Sequence, residues 1–493
     1  MKIKFFLFVI LFIGLLYFPV FLHLSFFSLR DWDESHLACN ALEMIDNGNI
    51  FVTYYNGSPD MWNVKPPLMI WLQAISLKTL GYNELAVRLP SALAVLLTVF
   101  LIMYFCKKQF KSKLLAYLAA LILITSSGYI SGHISRTGDY DALLTFFTTF
   151  YIVNFFAYLY TDRDNKKYLY LTAIGITLAL LTKGIQGLIF LPVMFIFVLY
   201  KKKFKLLVSN RHFYFSIIII LIFGIGYYLL RESMNPGYLS AVYNNELGGR
   251  YFKVNEGHEG TILIYFLNFI NWRFIYWVPL FFLSFILLIS NFDKEEKKLR
   301  GFLFYIFSLS VFYFLIISLS KTKLVWYDAP LYPLLAIICA FPLKLLINEI
   351  KNKYKGKSVI WKYSVAVVTI VFIFYLPYRD IIYKNLSENK KNDSSQWLYY
   401  GYFMKQLKNT KKYTIVINED YKTSHIKFYK DALNKKGYSI KEKIPSDLVK
   451  NEIAMVCEDN SKQKINAKYN YTIINSWKNC ELIKINSVKG YEK

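Results

Sequence analysis

Acids and cations in this chain cluster beside apolar runs. The stretch Arg30-Asp31-Trp32-Asp33-Glu34 sets three carboxylates within four residues, directly after an N-terminal apolar segment. Carboxylates so placed can take a proton from a hydroxyl. The plainer reading is a solvated cap, with Asp33 or Glu34 opening a helix over 34–47 that Gly48 ends. Ser135-Arg136-Thr137-Gly138-Asp139-Tyr140-Asp141 puts two more acids at the rim of another apolar run, where acids cost free energy unless they are partnered or functional. A salt bridge from Arg136 to Asp139 or Asp141 is the structural alternative there. The cations are as singular. Lys65 precedes Pro66-Pro67, whose rings stiffen the backbone that mounts it. Lys183 interrupts two apolar runs in Thr182-Lys183-Gly184, and Lys321 and Lys323 precede Tyr327 in a similar break. Ammonium and guanidinium groups converging beside acids at headgroup level suit a phosphorylated lipid better than a conduction path.

The elements that must position these groups are membrane helices. The 493 residues are 55% hydrophobic and 19% aromatic, against the 45–50% apolar content usual for soluble domains. Apolar windows of crossing length recur at the N-terminus and at about 89–106, 114–131, 142–160, 168–182, 185–200, 213–230, 272–290, 302–318, 329–346 and 358–377. The N-terminal run extends to about Leu29 without a cleavage-site pattern and reads as an uncleaved first helix. This predicts an α-helical polytopic membrane protein with about eleven spans. Orientation follows from the loops: one alternate set carries the lysine clusters at 107–113, 201–205, 294–298 and 351–357, whereas the opposite short loops carry only Arg136, Lys183, Lys321 and Lys323. By the positive-inside rule the first set is cytoplasmic and the chemistry-bearing set is not. The net charge of +26 is thus a topology signal, and the aromatic residues form no nucleic-acid motif, so nucleic acid is excluded as a partner.

Residues 1–377 then form a transmembrane body with long outer loops at 30–88 and 231–271. The tail, 378–493, alternates β-like runs (Tyr413–Asn418, Ile453–Cys457, Tyr471–Asn475) with a helix-like stretch (Ser424–Lys436) and is expected to be a small extracytoplasmic α/β domain. Cys457 and Cys480 lie in it, either disulfide-bonded or as two free buried thiols. No CxxC pair marks a thiolate zinc site.

Taken in order, Trp32-Asp33-Glu34, Lys65-Pro66-Pro67-Leu68 with Trp71, Ala86 through Ser91, Arg136 through Leu144, Thr182-Lys183-Gly184, Glu246 through His258 and Ser318 through Pro333 resemble the polytopic glycosyltransferases of the protein O-mannosyltransferase superfamily, especially the bacterial branch with the lipid A aminoarabinose transferase. The resemblance covers roughly residues 1–345. It implies a GT-C-type fold in a bacterial inner membrane, a polyprenyl-phosphate-linked sugar as donor, and inverting transfer at the outer face to a lipid, glycan or protein hydroxyl. Asp33 looks like the family's catalytic acid, with Glu34 beside it, and Asp141, or else Asp139, like its second essential carboxylate. Lys65, Lys183 and Tyr327 look like donor-phosphate ligands, and Arg250, Arg136 and Lys321 are further candidates. The chain departs from the aminoarabinose transferases at Val64, where a suspected metal-ligating Glu usually precedes the Lys-Pro-Pro, and at His36 and Cys39, where Arg and Glu are typical. His258, in Glu256-Gly257-His258-Glu259, is left as the candidate ligand for a divalent ion, against the plainer reading of a solvated loop histidine. A transporter or flippase for a lipid-linked sugar is the competing class; it would favour internal repeats, and none is seen.

Overall fold

The computed structural model describes residues 2–30, 32–161, 166–249, 251–254, 257–290, 297–354, 359–392, 398–418 and 424–489. Helices α1 (Lys2–Phe21), α2 (Asp33–Asn47), α3 (Leu68–Leu80), α4 (Glu84–Phe110), α5 (Lys113–Ile124), α6 (Asp141–Tyr160), α7 (Lys166–Lys183), α8 (Leu191–Tyr200) and α9 (Phe204–Val208) open the chain. Next come α10 (Arg211–Met234, with a π-helical segment at Ile220–Ile225), α11 (Tyr238–Val242), α12 (Ile264–Arg273), α13 (Val278–Ile289), α14 (Lys297–Leu319), α15 (Tyr332–Lys353) and α16 (Val359–Asn392).

Among the described residues seven helices are long and apolar enough to cross a membrane, and an eighth span results if α12 and α13, which meet at 113°, are taken together. Of four shorter apolar helices, Ile10–Phe21, Lys113–Ile124 and Leu191–Tyr200 fall on expected spans, and Leu68–Leu80 lies in the first loop. A 12-residue helix such as α5 reaches about 18 Å, short of the roughly 30 Å hydrocarbon layer. The protein is a multi-pass integral membrane protein in which α6 and Val325–Lys353 are the central pieces, 83% and 89% buried along their apolar windows, while α10 is peripheral at 17%. Local signals set the helix starts: the side chains of Asn83 and Ser112 cap α4 and α5. In α6, Thr145, Thr148 and Thr149 return their hydroxyls to carbonyls one turn back, which satisfies them without water.

After α16 the chain forms α17 (Tyr399–Gln406), β3 (Lys412–Val416), α18 (Ser424–Asn434), β4 (Ser439–Lys443), β5 (Ile453–Val456), α19 (Asp459–Lys468), β6 (Tyr469–Trp477) and β7 (Cys480–Val488). A two-residue hairpin in the first loop supplies β1 (Tyr54–Tyr55) and β2 (Ser58–Pro59). The mixed sheet has the order β4-β3-β5-β7-β6, with β3 parallel to β4 and β5, and β7 antiparallel to β5 and β6. Strand alternation divides its two faces. Val416, Ala454, Val456 and Ile483 close a core of their own, whereas Ile415, Met455 and Leu482 join the hydrophobic cluster that continues into the membrane body. Cys457 and Cys480 form a disulfide, which decides the alternative left open by the sequence.

Candidate active site

The site is assembled from the first loop outward. Asp33 is the first residue of α2 and its side chain is 40% exposed. Its neighbour Glu34 is buried and received from all sides. Arg88 of α4 grips it through Nε and Nη2 at 2.6 and 3.0 Å, and the backbone N–H groups of Arg30 and Gly138 donate to it at 2.7 and 3.0 Å. Burial would raise the Glu34 carboxyl, but the Arg88 charge and these hydrogen bonds outweigh it and hold the group below the ordinary value. Arg88 is a buried clamp that also donates to the carbonyls of Leu24, Phe27 and Ser28. Gly138 must be glycine here, because a Cβ would lie 2.6 Å from Val87 Cγ1 and 2.8 Å from the Val87 carbonyl.

Asp33 shares its space with Asp139 and His133, one ligand atom from each lying within 4.8 Å of the others. Asp139 accepts from the Thr137 hydroxyl, and burial together with the charges of Asp33 and Glu34 pushes its carboxyl well up. His133, in left-handed conformation, stacks flat on Trp326 at 3.7 Å, and its Nδ1 is buried with no hydrogen-bond partner among the described residues. Burial lowers its pKa to about 4 against the pull of Asp33.

Trp326 leads to the second half of the site. Its neighbour Tyr327 lies under the Lys183 ammonium, 5.3 Å from the ring centroid, and Lys183 donates to Asp141 at 2.6 Å with both side chains almost wholly buried. Lys65 stands over the Tyr140 ring at 5.5 Å and pairs with Glu246 at 3.2 Å. Glu246 and Tyr327 line the head of an open groove of about 340 Å³ whose remaining wall is mostly apolar, with Ile185, Ile189, Phe252 and Ile317. Asp33, Lys65, Lys183 and Tyr327 thus converge around Asp141, from segments almost three hundred residues apart.

The sequence departure at His36 has its own account: the imidazole meets Asp60 at 2.6 Å. Asn40 and the backbone of Asn63 hold the same carboxylate, and Asn63 reaches on to the Tyr140 hydroxyl. Burial opposes the charge of Asp60, but His36 and these donors take its pKa down to about 2.

Other candidates do not converge. Arg136 donates to the Val20 and Leu22 carbonyls at the end of α1, whereas the salt-bridge partner of Asp141 among the described residues is Lys183. Lys321 is exposed, while the Lys323 ammonium turns inward to the carbonyls of Ile317, Ser318 and Ser320. His258 is exposed, offers its carbonyl to Lys323, and belongs to no metal-capable group among the described residues. Arg250 lies outside the described residues. Conversely, His133 escaped sequence reasoning: it stands alone between glycine and isoleucine, and nothing in its spacing points to Asp33.

Residues 64–228 match the family profile of dolichyl-phosphate-mannose-protein mannosyltransferases. An uncharacterized protein of Aquifex aeolicus is 27% identical over 347 residues, 70% of this chain and 65% of its own. The undecaprenyl phosphate-alpha-4-amino-4-deoxy-L-arabinose arabinosyl transferase of Wigglesworthia glossinidia brevipalpis is 27% identical over 378 residues, 75% of this chain and 63% of its own. The matched part therefore spans a little under two thirds of these relatives. In fold, the chain is similar to ArnT from Cupriavidus metallidurans bound to undecaprenyl phosphate, with a TM-score of 0.71 at 15% identity over 97% of this chain and 98% of that one. It is also similar to the Archaeoglobus fulgidus oligosaccharyltransferase, with a TM-score of 0.51 at 13% identity over 87% and 63%.

Proposed function

From its membership of the GT-C glycosyltransferase superfamily that holds the protein O-mannosyltransferases and the aminoarabinose transferases, we propose that this chain moves a sugar from a polyprenyl-phosphate carrier to a lipid, glycan or protein hydroxyl. The supporting observation is the contact chain Asp33–His133–Trp326, continued by Tyr327–Lys183–Asp141, which joins an accessible carboxylate to a buried ammonium and, through Tyr327, to an apolar groove. A prenyl chain would lie in the groove, with its phosphate against Lys65, Lys183 and Tyr327. The two ammonium groups stabilise charge, and the Tyr327 hydroxyl can donate a hydrogen bond, as the bond from the anomeric carbon to the phosphate oxygen breaks. Asp33 takes the proton of the acceptor hydroxyl while that oxygen bonds to the anomeric carbon from the opposite face, so configuration inverts and polyprenyl phosphate leaves. Glu34, held by Arg88, positions Asp33 rather than reacting.

A divalent ion fits the Asp33, His133 and Asp139 donors, since two carboxylate oxygens and the unpartnered imidazole nitrogen lie within 4.8 Å of one another. It would supply positive charge next to the acceptor oxygen. The lysine-rich loops and the Cys457–Cys480 disulfide favour a bacterial inner membrane with the site and tail on its outer, oxidising side. The donor sugar is a hexose or pentose.

The test is purified protein incubated with radiolabelled polyprenyl-phosphate sugar and candidate acceptors. Release of polyprenyl phosphate is expected only when acceptor is present, and Asp33→Asn should lower turnover by about 10²–10⁴-fold. Near-normal turnover of Asp33→Asn would remove the base, and translocation of the intact donor across vesicles would make the protein a transporter.

A further inference from the structure

Helix α7 carries Lys183 at one end and begins at Lys166, so the two lysines are separated by about 26 Å along the helix, close to the thickness of a hydrocarbon layer. At the Lys166 end a second, polar pocket of about 750 Å³ opens, lined by Lys166, Lys205, Ser209, Arg211 and His212 among others. Among the described residues none of Lys166, Lys205 and Arg211 takes part in an ion pair. The walls are fixed from behind: Asn210 caps α10 through the His212 N–H and donates to Tyr158, and the Tyr170 hydroxyl meets His212 Nδ1 at 2.7 Å.

Directly alongside lies an apolar cleft of about 210 Å³ between α7, α8 and α10. Three elements, α7, α9 and α10, contribute to both. Within about a turn, α7 passes from Lys166 to Leu169, α9 from Lys205 to Leu207, and α10 from Arg211 and His212 to Phe213. Next to the cleft, Phe195, Phe215 and Ile218 are half exposed on the surface that faces acyl chains. Cations beside a cleft lined by apolar side chains match an amphiphile with an anionic head and at least one chain.

We propose that this pocket binds the phosphate headgroup of an anionic diacylglycerophospholipid from the leaflet opposite the candidate active site, with one acyl chain in the adjoining cleft. Lys166, Lys205 and Arg211 neutralise the phosphate, and Ser209 hydrogen-bonds to it. The lipid thereby fastens α9 and the start of α10 to α7, on the least buried flank of the bundle.

The experiment uses the full chain in zwitterionic detergent, titrated with phosphatidylglycerol, phosphatidylcholine, undecaprenyl phosphate or inorganic phosphate and read by thermal shift and by native mass spectrometry. Phosphatidylglycerol should raise the melting temperature and remain bound, at least tenfold more tightly than phosphatidylcholine, and K166Q/K205Q/R211Q should lose that tenfold preference. Should the triple variant fail to fold, Lys205→Gln alone is expected to weaken phosphatidylglycerol several-fold and Lys205→Arg to restore it. Equal binding of the two phospholipids, or unchanged preference in the variants, would overturn the assignment. So would a shift from inorganic phosphate equal to that from phosphatidylglycerol, or one given by undecaprenyl phosphate alone and lost in the triple variant.

Discussion

Asp33 and Glu34 are chain neighbours with opposite surroundings, one side chain 40% exposed and the other 1%. Because Glu34 and Arg88 form a buried pair, removing one charge strands the other, at a cost of about 3–5 kcal/mol. Glu34→Gln should therefore lower the melting temperature of the purified protein clearly, whereas Asp33→Asn, facing an open site, should leave it nearly unchanged while turnover falls. The Lys65–Glu246 pair leads to a different expectation. A donor phosphate must compete with the Glu246 carboxylate for the same ammonium. Glu246→Gln should then bind undecaprenyl phosphate roughly five- to tenfold more tightly, a gain of about 1 kcal/mol, as measured by equilibrium binding. Weaker binding would mean instead that Glu246 holds Lys65 in its productive place.

Between elements, α18 docks on the membrane body through His425. The Nδ1 of His425 meets the Leu29 carbonyl at 2.7 Å, its Nε2 accepts from the Gly401 N–H, and the Tyr429 hydroxyl donates to Glu84. Burial depresses the His425 pKa to about 4, against an ordinary value of 6.5. A histidine held neutral in the folded state opposes protonation, so its share of stability is complete above pH 6.5 and is lost as pH falls toward 4. Hydrogen exchange over 424–434 should quicken across that window, and His425→Gln should flatten the response. Much of this element level was legible in the sequence. Proline beside Lys65, the interruption at Lys183 and the acids at 139 and 141 mark positions where an apolar chain would not otherwise spend polar groups. The helix expected at 34–47 and the tail runs near 413, 453 and 471 became α2, β3, β5 and β6, but β4, β7 and α19 carry polar faces that mask their period. Arg136 shows why other readings strayed: a guanidinium that braces carbonyls at a helix end has the same local sequence as one that awaits phosphate, and only the distant end of α1 tells them apart. His133 meets Asp33 through tertiary packing alone.

Over the whole molecule, the sheet domain is tied together by the Cys457–Cys480 bridge across 23 residues. Closing a loop of that size restricts the unfolded chain by about 3 kcal/mol, so C457A/C480A should lower the tail's unfolding free energy by that order, as read by denaturant titration of its tryptophan fluorescence. That loss should also be felt at the other end of the sequence. The hydroxyl of Tyr429 in α18 accepts the Leu29 N–H, and Ser424 meets Tyr55, so the tail grips the chain on both sides of Asp33. What looks like an appendage is therefore a brace for the amino-terminal carboxylate. A protein cut after α16 would keep its membrane helices but leave the reacting group on an unbuttressed hinge, and shortening the carboxyl end would cost rate before it cost insertion.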